Sequence, residues 1–202
     1  TVVINDLQKD KCSKAVANLK AQGINATSVC CDVSDHASVQ QAKAEVIQLG
    51  MQVGILVNNA GILGPRKTGL EHTDEEWRSC VDAVLTGTYF CTRAVMPRMV
   101  KKGYGRVVNI ASISGKEGSP MMPAYSAAKA GLIGLMRCIH DEAKGTGIQA
   151  NAIVPGGATR MAGSIDLAAS PDLSPELVAP MVAWLSHENC TQSGEILIGT
   201  AG

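Results

Sequence analysis

Two kinds of segment alternate along the chain. Short β-branched apolar runs are separated by longer stretches in which apolar positions recur every three or four residues. Thr1-Val-Val-Ile-Asn5 predicts a buried strand that Asp6 ends. Residues 8–22 predict a helix closed by Gly23, and Ala26–Cys31 a second strand followed by Asp32-Val33. Ser34 or Asp35 can cap a helix over about 36–49 that stops at Gly50. Gly54–Val57 predicts a third strand running into Asn58-Asn59-Ala60-Gly61. Thr73-Asp-Glu-Glu76 has capping-box spacing and opens a long helix to about residue 101, with Pro97 as a bend point. Strand 105–111, helix 124–144, strand 148–154, a break at Pro155-Gly156, a short helix at 175–186 and a strand at 195–198 complete the series.

Strands alternating with helices predict an α/β domain in three layers, a doubly wound parallel sheet with helices on both faces. No repeat or inter-domain linker interrupts it, so residues 1–202 read as one domain, and 157–175 as a loop within it.

Composition narrows the function classes. Lys+Arg and Asp+Glu are equal at 18 each, and aromatics are 3%, which argues against a nucleic-acid surface. No apolar run approaches the ~18 residues of a membrane span, and no signal peptide is visible. The seven cysteines are odd in number, two are adjacent, and none forms Cys-x-x-Cys, which predicts free thiols in a reducing, cytoplasmic setting. The four histidines share no metal-ligand spacing, so no metal site is expected.

The chemistry concentrates in Ser112–Lys129. Tyr125 and Lys129 are four apart in a helical segment and so share one face. An ammonium beside a phenol favours the phenolate and should lower the tyrosine pKa from ~10, making it an acid or base near neutral pH. Strand 105–111 runs straight into Ser112, thirteen residues before Tyr125, whose hydroxyl can donate to a substrate oxygen. Ser114 reads as a plain loop serine. Other candidates stand at strand ends, where doubly wound sheets bind ligands. Asp6 can accept from an adenosine ribose or act only as a turn residue, and Asp32-Val33 reads equally as an Asx turn.

Strand, serine, loop and Tyr-x-x-x-Lys resemble the active site of the short-chain dehydrogenase/reductase family. The resemblance covers nearly the whole chain, through Asp6, Asp32-Val33, Asn58-Asn59-Ala60-Gly61, Ser112, Tyr125-x-x-x-Lys129 and Pro155-Gly156 in order. It implies a Rossmann-like fold and hydride transfer between NAD and an alcohol/ketone pair. In that likeness Tyr125 exchanges the proton, Ser112 polarises the substrate oxygen, and Lys129 tunes Tyr125 and binds the nicotinamide ribose. Asp6, Asp32, Val33, Asn59, Ala60, Gly61, Pro155, Gly156 and Thr159 would line the cofactor. Asp6 would repel a 2′-phosphate and so favour NAD over NADP.

Two features depart from the family pattern. The chain begins at what resembles the family's second strand, without the strand and Thr-Gly-x-x-x-Gly-x-Gly turn that bind pyrophosphate. This predicts either a preceding segment or closure of the two flanking strands on each other. Val84 stands where the family commonly has an asparagine that links the lysine to a water chain, which bears on proton relay. The resemblance also implies a homotetramer or homodimer built on the long helix and the Tyr/Lys helix. The tail resembles members acting on acyl thioesters, and Lys116–Pro120 those acting on sugars and polyols. Met121, Met122 and Met161 suggest a partly apolar pocket. A non-catalytic scaffold or nucleotide sensor, or an inactive truncated product, is the alternative.

Overall fold

The computed structural model describes residues 1–156 and 175–199. Strands β1 (Val2–Asp6), β2 (Ala26–Cys30), β3 (Ile55–Asn58), β4 (Gly105–Ile110), β5 (Ile148–Pro155) and β6 (Ile196–Gly199) are all parallel to their partners. The helices are α1 (Lys9–Ala21), α2 (His36–Gln48), α3 (Asp74–Val81), α4 (Gly87–Lys102), α5 (Ile113–Glu117), α6 (Pro123–Glu142) and α7 (Ala179–Ser186). The helix 175–186 expected from sequence is a 3₁₀ turn, Pro175–Leu177, followed by α7. Thr159, Met161 and most of the 157–175 loop lie outside the described residues.

Local chemistry sets the element ends. Asp35 caps α2, its carboxylate accepting from the N–H groups of Ala37 and Ser38. Thr73 and Glu76 form the capping box at the start of α3. The long helix expected from residue 73 onward is not uniform, because a π turn, Asp82–Thr86, separates α3 from α4. Apolar periodicity does not reveal such a turn, since helix flanks it on both sides. α5 was not expected either. It is one short turn nucleated by the Ser112 cap rather than by apolar spacing.

The core forms on both faces of the larger sheet. Val107 packs with Met99, Met136 and Ile139 beneath α4 and α6. The next residue on β4, Val108, packs with Ile153 and Leu185 beneath α7. A second core joins Val29 to α2 through Val39, Ala42 and Val46, and to α4 through Ala94.

The strands form two sheets, β1-β2 and β3-β4-β5-β6, and no hydrogen bonds join β1 to β3 among the described residues. The closing of these two strands on each other, one of the two sequence expectations, does not occur. Parallel strands are normally covered on both faces. β3 is not: Ile55 and Val57, on one face, are 45% and 40% exposed.

Candidate active site

β4 ends at Ile110 and delivers Ser112 as the cap of α5, its Oγ accepting the Ser114 N–H at 3.2 Å. This fixes one lone pair of Ser112 and leaves the hydroxyl hydrogen to donate elsewhere. α6 opens at Pro123, whose fixed φ suits a first helical turn, and carries Tyr125 and Lys129 on one face. Both are buried, at 8% and 5% exposure. The Lys129 ammonium lies 5.6 Å from the centre of the Tyr125 ring and donates to the Ile110 carbonyl at 2.5 Å. Ser112 lies near enough to the Tyr125 phenol to act on its ionisation. The structure thus brings the three sequence candidates together at the carboxyl end of β4.

The electrostatics correct one expectation. Burial pushes the Tyr125 pKa up, and nearby Ser112 only partly opposes it. Burial also pushes Lys129 down to about 8, because a buried ammonium loses its hydration. The fourth-residue spacing gave the pairing correctly but not the depth at which the pair sits.

α5 lies directly on α6. A Cβ at Gly115 would stand 2.5 Å from the Lys129 carbonyl carbon and 2.7 Å from the Ala130 nitrogen. Neither backbone can yield cheaply, so Gly115→Ala should lower stability by about 1–3 kcal/mol and move Ser112 away from Tyr125. Thermal unfolding measures the first effect and turnover the second.

Ser114, expected in a loop, lies within α5 and is buried, its hydroxyl 2.8 Å from that of Ser119. Met122 packs on Tyr125, Cys80 and Val84, whereas Met121 is 40% exposed.

The remaining candidates stand at the carboxyl ends of their strands. Asp6 closes β1, its Oδ1 accepting the Gln8 N–H at 2.8 Å. Asp32 follows β2, its Oδ1 accepting from the Ser34 N–H and hydroxyl in an Asx turn. Val33 touches Gly87 at the start of α4. Asn59 and Ala60 are exposed beyond β3, and Gly61 lies under Val84. Pro155 pairs with Gly199, and the Gly156 N–H donates to the Gly199 carbonyl.

A buried polar network supports this rim. The side-chain amide of buried Asn58 donates to Asn109 Oδ1 at 2.9 Å and to the Thr92 hydroxyl at 3.2 Å. It ties β3 to β4 and α4. The available signal was an asparagine inside each of two apolar strands, a polar group that burial obliges to pair.

Small or exposed residues at Ala60, Gly61 and Gly156, with carboxylates at Asp6 and Asp32, fit the two nucleoside halves of a dinucleotide laid along the strand ends. No glycine-rich strand-to-helix turn for pyrophosphate stands among the described residues.

Comparison with known proteins agrees. The model of the short chain dehydrogenase family matches residues 1–169, and the chain belongs to that family. It is 39% identical over 154 residues to 2-dehydro-3-deoxy-L-rhamnonate dehydrogenase (NAD(+)) of a Sphingomonas strain, covering 76% of this chain and 60% of the relative. It is 38% identical to a 3-oxoacyl-[acyl-carrier-protein] reductase of Synechocystis, over 77% of this chain and 63% of the relative. Over its whole length it is 36% identical to 35% of the peroxisomal multifunctional enzyme type 2 of Drosophila melanogaster. The chain therefore spans less than two thirds of each of these relatives. The crystal structure of 3-oxoacyl-[acyl-carrier protein] reductase from Brucella melitensis superposes with a TM-score of 0.88 at 30% identity, over 98% of this chain and 79% of that one. Two of these relatives are named as a dehydrogenase and a reductase, the first of them with NAD(+) in its name. Among the described residues, no helix is long and apolar enough to cross a membrane.

Proposed function

We propose that the chain is an NAD-dependent oxidoreductase acting on a secondary alcohol or ketone. The observation that carries this is the convergence of Ser112, Tyr125 and Lys129 at one strand end. The nicotinamide supplies or accepts the hydride. The Ser112 hydroxyl, whose oxygen accepts the Ser114 N–H, keeps its hydrogen to donate to the substrate oxygen. Tyr125, a protonated phenol at neutral pH, gives its proton to that oxygen in reduction and takes it back in oxidation. Lys129 would hold the nicotinamide ribose. Asn59, Ala60, Gly61, Pro155 and Gly156 would line the nicotinamide half, and Asp6, Asp32 and Val33 the adenosine half. Thr159 stays a sequence-based candidate.

Asp6 favours NAD, because a second negative charge at a 2′-phosphate would meet its carboxylate. Asp6→Ala is expected to bring NADPH affinity to within about threefold of NADH, a relative gain of roughly tenfold, or about 1.4 kcal/mol. Parallel fluorescence titrations with the two nucleotides check it.

For substrate we favour a 3-oxoacyl thioester, or the corresponding hydroxyacyl compound, over a sugar or polyol. Exposed Ile113 and Met121 flank the site and suit an apolar chain. Turnover of a short 3-oxoacyl thioester against a sugar-acid panel tests this. We further propose a cytoplasmic homotetramer or homodimer that uses α4 and α6, and completion of the nucleotide site by a strand hydrogen-bonded between the free edges of β1 and β3. A non-catalytic, nucleotide-sensing scaffold is the second reading. It is favoured by Val84, fully buried and unable to hydrogen-bond through its side chain.

A further inference from the structure

Between Ser112 and Tyr125 the backbone makes one turn that its own residues do not favour. The Met122 N–H donates to the Ser119 carbonyl at 3.3 Å, and Pro120 and Met121 stand between them. Proline at the first of these positions and a positive φ at the second define a type II turn, whose second position glycine normally fills. Here it is Met121, at φ 63°, the one non-glycine residue in the left-handed region among the described residues. A side chain is strained there, because its Cβ crowds the following carbonyl oxygen.

The neighbours hold this turn whatever side chain stands at 121. The Met121 carbonyl accepts the Lys67 N–H at 3.0 Å, and Lys67 is itself pinned by its ion pair with Glu76 at 2.5 Å. The Ser119 N–H donates to the Ser126 hydroxyl at 3.1 Å, and the Ser119 hydroxyl lies 2.8 Å from that of Ser114. Pro123 keeps Met122, at φ −137° and ψ 50°, out of the helical region. None of these contacts uses the Met121 side chain. It is 40% exposed and joins none of the buried clusters, whereas Met122 packs in the cluster of Tyr125. The fold bears the strain of a Cβ at 121 and gains no core packing from it. Ile113, the residue after Ser112, is exposed as well, so the segment carrying Ser112 and Tyr125 presents two apolar side chains outward.

We infer that Met121 is a specificity-determining residue, whose side chain contacts the acyl chain of the substrate while Ser112 and Tyr125 hold its oxygen, and that the strained turn is kept in order to present it. The inference rests on the 3-oxoacyl thioester reading above and adds the residue that reads the chain. An unbranched thioether adapts to a flexible chain, and each further methylene it covers adds to the contact, so longer chains are preferred to short ones.

The test measures kcat/KM with NADH for a 3-oxobutyryl and a 3-oxodecanoyl thioester in wild type, Met121→Gly, Met121→Ala and Met121→Leu, with thermal unfolding of each. Wild type is expected to prefer the longer chain. That preference should fall at least about tenfold in the glycine and alanine variants and stay within about threefold in the leucine variant, which keeps an apolar chain of similar length. Met121→Gly, which fits the turn without strain, should melt about 2–4 °C above wild type, and Met121→Ala should not. A chain-length preference unmoved in the glycine and alanine variants, or a lower melting temperature in Met121→Gly, overturns the inference alone. A wild-type chain that reduces a sugar acid but neither thioester overturns the thioester reading and the inference with it.

Discussion

Tyr125→Phe is expected to lower kcat by about 10²–10⁴, the usual contribution of a positioned proton donor, with nucleotide affinity within about twofold of wild type. The ring stays in its cluster with Cys80, Val84 and Leu132, so the fold should survive the loss of one oxygen. The pH dependence follows from burial. Burial raises the Tyr125 pKa, so the phenol is protonated across neutral pH. Ketone reduction, which consumes that proton, should hold steady through neutrality and fall in alkali. Alcohol oxidation needs the phenolate and should climb with pH over the same range. Initial rates in both directions from pH 6 to 10 check for a level reduction profile and a rising oxidation profile, and in Tyr125→Phe the rise should vanish.

Lys129→Met carries the second large effect, on activity and on the pH dependence of stability together. Activity should fall by about 10²–10³, the cost of losing a charged donor at a reacting centre. For stability the sign is set by the protons bound in each state. The ordinary lysine value is 10.5, and burial lowers it to about 8 in the folded chain. Between these values the unfolded chain holds the extra proton, so wild-type stability gains from this residue as pH rises from 8 to 10.5. The gain totals about 3 kcal/mol at ~1.36 kcal/mol per pKa unit. Cys31, Cys80 and Cys91 act oppositely above pH 9, since burial raises their thiols from 9.0. Cys31 and Cys91 shift alike in both proteins and cancel when wild type and Lys129→Met are compared by urea unfolding, whereas Cys80 interacts with Lys129 and leaves a difference confined to the range above pH 9. The difference should move in favour of wild type between pH 8 and 10 and be flat below 7.

How much of this was legible in the sequence depends on the range of the forces involved. Capping by Thr73 and Asp35 and the sharing of a face by Tyr125 and Lys129 are local, and periodicity and spacing read them directly. The grouping of Ser112 with Tyr125 was legible only because a strand, a loop and a helix follow one another without interruption. The π turn was not, because one extra residue in a continuous helix leaves almost no apolar signature. The split into β1-β2 and β3–β6 was legible only as one of two alternatives, through the family resemblance, since pairing between strands far apart in the chain leaves no local signature. The Tyr125 pKa was misjudged for the same reason. The spacing places the cation nearby, but α3, the π turn and α5 create the burial that outweighs it.

The most direct test of the account is a titration of the 202-residue chain with NADH, followed by nicotinamide fluorescence with NADPH in parallel, and repeated on the chain extended by a strand–glycine turn–helix segment. The account predicts saturable binding that prefers NADH, strengthened when the added strand seats between β1 and β3. Binding of neither nucleotide in either form would contradict it and favour the scaffold.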